Sequence, residues 1–81
     1  MTRKQFKEVC IVAGLEETWN TEYYICYQIK IDNKNYNFYY NDDTKKVSVQ
    51  INYITHIVRI LDTDNLQLFK EKINEIFHNR K

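Results

Sequence analysis

A general base, a nucleophile or a metal ligand in this chain would have to come from His56, His78, Cys10, Cys26, or the aspartates of Asp42-Asp43 and Asp62-Thr63-Asp64. Neither cysteine neighbours a histidine, His56 falls opposite or at the edge of an apolar stripe, and His78 sits near the C-terminal end. No nucleophile, base and orienting group can be named together, so the chain is not expected to be an enzyme. Two cysteines without paired spacing exclude a zinc finger and a disulfide scaffold. The acidic pairs are too short and sparse for a calcium loop, which spreads its ligands over about twelve residues. They read as turn and cap residues. With one Gly and no Pro there is no glycine loop to cradle a phosphate. No cofactor and no metal are expected.

What remains is recognition chemistry. Tyrosine and tryptophan carry large, partly polar surfaces that suit binding sites. The residues singled out for contact with a partner are Tyr24, Gln28, Lys30, Asn37, Tyr39 and Trp19, with Asp42 and Asp43. The alternative for the first five is a merely solvated sheet face, and for Trp19 a lid over the core edge. Arg3, Lys4 and Lys7 form a basic cluster near a helix start, where the helix dipole disfavours cations. That cluster hints at an anionic partner.

The elements that must position these residues follow from periodicity. Thr2 to Ala13 reads as a helix, with Thr2 and Gln5 at capping-box spacing and Gly14 as a stop. Leu15 to Thr21 reads as a loop. Three segments then alternate with period two: Tyr23 to Ile31, Tyr36 to Tyr40 and Val47 to Tyr53. Short polar connections make them an antiparallel meander. A turn at Asn33-Lys34 would pair Ile31 with Tyr36 and Tyr27 with Tyr40; one at Asp43-Thr44 would pair Tyr40 with Val47. That register sets Gln28, Tyr39 and Ser48 in one row, Lys30, Asn37 and Gln50 in the next, and Cys26, Asn41 and Lys46 in a third. Ile54, Ile57, Val58 and Leu61 fit a helical stripe, though the same β-branched segment would serve as a fourth strand. Asp62 to Asn65 reads as a break, with Asp64 and Gln67 at capping-box spacing. Leu66, Phe69, Ile73, Ile76 and Phe77 define a last amphipathic helix to about Asn79, with Arg80 and Lys81 beyond.

The expected fold is therefore α+β in the order α-β-β-β-α-α: a three-stranded antiparallel meander with helices packed on one face, forming a single small domain over residues 1–81. At 10.0 kDa there is little capacity for a deep pocket. The balance of 12 Lys and Arg against 11 Asp and Glu lacks the basic excess usual in nucleic-acid binders. No apolar run is long enough to cross a membrane, nothing suggests export, and a cytoplasmic location is expected. Ile, Lys, Asn and Tyr supply 35 of the 81 residues, pointing to an AT-rich genome.

The order carried by Thr2–Ala13, Tyr23–Tyr53 and Ile54–Asn79 resembles that of small phage-encoded anti-CRISPR proteins, inhibitors that block a nuclease effector. The resemblance is topological, without a diagnostic motif, and this chain lacks the strong acidity of the DNA-mimicking example. It implies a stoichiometric inhibitor whose partner is a larger protein or a nucleoprotein defence complex. The order also resembles, less well, the double-stranded RNA-binding domain. That likeness implies nucleic-acid contact through the open face or the basic N-terminal helix, but Asn52, Asp62 and Asp64 stand where a basic helix start belongs. Self-association through the tyrosine face is a further expectation.

Overall fold

The structure is a computed structural model that describes residues 1–78; the expected helix end at Asn79, and Arg80 and Lys81, lie outside the described residues. Helix α1 (Arg3–Val12) leads into strands β1 (Glu16–Asn20), β2 (Tyr24–Ile31), β3 (Lys34–Asn41), β4 (Lys46–Asn52) and β5 (Ile57–Thr63), and helix α2 (Leu66–His78) follows. The α+β class and the antiparallel meander are as expected. The meander, however, has five strands in the spatial order β1-β2-β3-β4-β5.

Helix α1 begins as its sequence dictates. Thr2 Oγ1 accepts from the Gln5 amide at 3.2 Å, and Gln5 Oε1 accepts from the Thr2 amide at 2.9 Å, closing the capping box. Gly14 then turns the chain at φ +81°, a left-handed value that costs glycine nothing. Helix α2 is capped by Asn65, not by Asp64: Asn65 Oδ1 accepts from the Leu68 amide at 3.0 Å. Because β5 runs through Thr63, the break starts two residues later than the sequence suggested, at Asp64. The Thr63 hydroxyl accepts from the Asn65 amide at 3.1 Å and fixes the break.

Two segments correct the sequence reading. The expected loop from Leu15 to Thr21 contains β1, paired antiparallel to β2 with a register shift between Glu17 and Trp19. The expected helix from Ile54 to Leu61 is mostly β5, so the strand alternative for this segment is the one realised. Its own shift lies opposite Val49 and Gln50: Leu61 pairs with Val49 and Arg59 with Gln50, leaving Ile60 as the extra residue. The element order on which both resemblances were drawn is therefore not that of the structure.

The β3–β4 register is as expected, with Tyr40 opposite Val47 and Phe38 opposite Val49. The β2–β3 register differs by two residues. Ile31 pairs with Lys34, Tyr27 with Phe38 and Ile25 with Tyr40. The turn is Asp32-Asn33, both at positive φ (52° and 65°), the type I′ geometry that matches strand twist.

Both helices cover one face of the sheet. The core under them joins Phe6 and Cys10 of α1 and Phe69, Ile73 and Ile76 of α2 to Ile25, Tyr27, Phe38, Tyr40, Val47 and Val49. Phe6 is its centre. Its ring stacks on Tyr40 and Phe69 at centroid distances of 5.5 and 5.4 Å and meets Tyr27 edge-on at 5.8 Å.

Candidate interaction surface

The sheet face away from the helices carries most of the residues expected to meet a partner. The observed register sets Tyr24, Asn41 and Lys46 in one row and Cys26, Tyr39, Ser48 and Asp62 in the next. Gln28, Asn37, Gln50 and Arg59 follow, then Lys30, Asn35, Asn52 and Ile57. Relative to the expected rows, the β2 residues are displaced by two positions along β3. The displacement is even, so each side chain keeps its face. Tyr24, Gln28, Lys30, Asn37 and Tyr39 thus share this face, although Asn37 is buried in it at 5% exposure, and Trp19 joins it opposite Cys26 with 61% of its surface exposed.

Between Tyr24 and Tyr39 on one side and Arg59 and Asp62 on the other lies a groove of about 570 Å³, floored by Ser48 and Gln50. Sequence reasoning missed its β5 wall because β5 was expected to be a helix. Arg59 and Asp62 stand 3.8 Å apart there, and Lys46 lies at the Tyr24 end. Ser48 Oγ is buried without a hydrogen-bond partner, one of two such side-chain atoms among the described residues, the other being Asn52 Oδ1.

The remaining candidates are placed differently. Asp43 is a turn residue whose amide donates to Asn41 Oδ1 at 2.8 Å. Asp42 forms an ion pair with Arg3. The Arg3 guanidinium also donates to Asn20 Oδ1 at 2.5 Å and to the Thr21 carbonyl at 2.7 Å. This arginine, expected to sit uncompensated beside the helix start, is therefore spent within the fold. Lys4 and Lys7 remain exposed.

The nucleophile candidates are buried. Burial pushes the Cys10 thiol well above its ordinary range. It also raises Cys26, which is 2% exposed, although contacts from Thr18, Tyr39 and Phe38 oppose the shift. The Tyr39 hydroxyl is raised by burial first and by Cys26 second. His56 lies in the β4–β5 turn, its ring stacked on Tyr53 at 4.9 Å and its Nδ1 3.0 Å from Thr55 Oγ1. Among the described residues no three His, Cys, Asp or Glu side chains gather as a metal site, and no helix is long and apolar enough to cross a membrane.

No family model, no curated protein and no solved structure matches this chain.

Proposed function

We propose that the chain is a non-enzymatic binding protein that occludes part of a larger protein through the outer sheet face. The observation that supports this reading most is the groove itself: two tyrosines, a lysine and an Arg–Asp pair surround an unpartnered buried hydroxyl at Ser48. Such a lining offers hydrogen-bonding groups of both signs to a partner. A standard interface takes about 800 Å² from each partner, within reach of one sheet face with Trp19 at its edge. A defence nuclease, the target that the anti-CRISPR resemblance implies, is one member of that class of partner.

The test is capture of a stoichiometric partner by tagged protein from a bacterial lysate treated with nuclease. Capture should fail with the double variant Tyr24→Ala, Tyr39→Ala while its circular dichroism stays that of the parent. Undiminished capture by a folded double variant would refute the site.

The second reading is nucleic-acid binding, supported by Lys30, Lys46 and Arg59 on the same face. It predicts that nuclease abolishes capture and that affinity falls steeply with salt.

A further inference from the structure

The two edges of the sheet are guarded differently. Strand β1 is five residues long, broken by its shift at Thr18, and carries Glu16 and Glu17. Those are devices by which an edge strand resists pairing, and β5 shares them in part through its own shift at Ile60 and the charges of Arg59 and Asp62, but those two charges are of opposite sign. Strand β5 is seven residues long, and Ile54, Ile57 and Val58 at and before its start are 104%, 63% and 36% exposed. Among the described residues its edge away from β4 has no neighbour strand.

A regular strand is symmetric in its faces about a residue; the extra residue at Ile60 moves that centre in β5 to a point between two residues. Val58 and Thr63 stand opposite Ile51 and Val47, on the helix-covered face. Ile60 and Leu61 both pack against the core, on that same face. Arg59 and Asp62 stand opposite Gln50 and Ser48 and line the outer groove. From Val58 to Thr63 the faces therefore read inner, outer, inner, inner, outer, inner. That order is the same in both directions about the midpoint between Ile60 and Leu61.

The chemistry is complementary about the same midpoint. In an antiparallel pair of two β5 strands centred there, Ile60 meets Leu61, β-branched Val58 meets β-branched Thr63, and Arg59 meets Asp62, each contact made twice. A shift by one residue in either direction sets inner side chains against outer ones, which a sheet with one covered face resists.

We infer that β5 is the interface of a two-fold symmetric homodimer, formed by edge-to-edge pairing of β5 with β5 of a second copy. The product is one continuous ten-stranded sheet. The two-fold axis stands perpendicular to it, so both tyrosine grooves lie on the same side. Arg59 and Asp62 of each copy then border the other copy's groove. On the covered side, helical spacing puts Leu68, 47% exposed, on the flank of α2 opposite the residues that face α1. The dimer is independent of what the grooves bind.

The experiment is sedimentation of the wild-type chain from micromolar to millimolar concentration, followed by charge exchange at the interface. The wild type should approach twice its 10.0 kDa mass. Arg59→Asp places four carboxylates at the axis and Asp62→Arg places four guanidinium groups there. Each variant alone should dimerise roughly tenfold or more weakly. Mixed in equal amounts, the two variants should recover a heterodimer, because each supplies the charges the other lacks. Both side chains are largely exposed, so the fold should persist, with circular dichroism as the control. A wild type that remains monomeric throughout overturns the inference. So does a dimer that survives the single variants unweakened, since it must use another surface such as the tyrosine face.

Discussion

At the scale of single residues, Arg3 shows how a side chain suited to an outside anion is used inside. Its guanidinium joins the β1–β2 turn, through Asn20 and Thr21, to the β3–β4 turn, through Asp42. Arg3→Met keeps the aliphatic stem and removes this fork. Urea denaturation should show a loss of about 1–2 kcal/mol, discounted from a fully buried charged bond because both side chains are partly exposed. A loss indistinguishable from zero would mean that water replaces the fork. The buried acids make a second prediction. The folded state raises Cys10, Cys26 and Tyr27, the last to about 12 through burial and then its bond to Glu17. A raised folded value favours the neutral form, so its contribution is complete below the ordinary values of 9.0 and 10.0 and is lost as pH rises through the folded ones. Thermal midpoints should therefore hold steady to about pH 9 and fall progressively towards pH 12. The two thiols should resist a disulfide reagent at neutral pH until the chain unfolds. Fast reaction of either in the native protein would contradict its burial.

At the scale of elements, what the sequence disclosed and what it hid separate at the register shifts. Strands β2, β3 and β4 were legible because their side chains alternate without interruption against a covered face. In β5 the extra Ile60 turns two successive residues inward, so the inward Val58 and Leu61 fall three apart and, with the outward Ile57, imitate a helical stripe. In β1 the shift at Thr18 similarly destroys alternation within five residues. The β2–β3 register was hidden for another reason: sliding by two residues leaves every face unchanged, so only the Asp32-Asn33 turn decides it. The candidate surface inherited this division. Its tyrosines were legible, whereas its Arg59 and Asp62 wall depended on a strand taken for a helix. Helix termination offers the test at this scale. Apart from its two chain neighbours, no heavy atom of the described residues lies within 4 Å of where a Cβ on Gly14 would stand, so Gly14→Ala should act through its φ of +81°. The cost should be about 1 kcal/mol by chemical denaturation, with an unaltered core. A several-fold larger loss would show that the α1–β1 connection carries packing as well as a turn.

At the scale of the whole molecule, the question is whether sheet and helices form one cooperative unit. Direct contact between α1 and α2 is open along one side, where a groove of about 790 Å³ separates Val9 and Val12 from Leu66 and Phe77. The two helices are instead joined beneath that groove, because Phe6 of α1 stacks on Phe69 of α2 and on Tyr40 of the sheet. A chain of this size has a total stability of roughly 4–12 kcal/mol. Phe6→Ala should remove about 3–5 kcal/mol of it, since two of the three rings around the side chain, Tyr27 and Tyr40, are held by strands and cannot collapse into the void with Phe69 of α2. The variant should thus lie near the edge of folding. In native-state hydrogen exchange, amides of α2 and of β3 should lose protection along with those of α1. Loss confined to α1, with α2 still protected on the sheet, would overturn the single-unit account. The sheet with α2 would then be a stable core, and α1 a cover that docks and leaves alone.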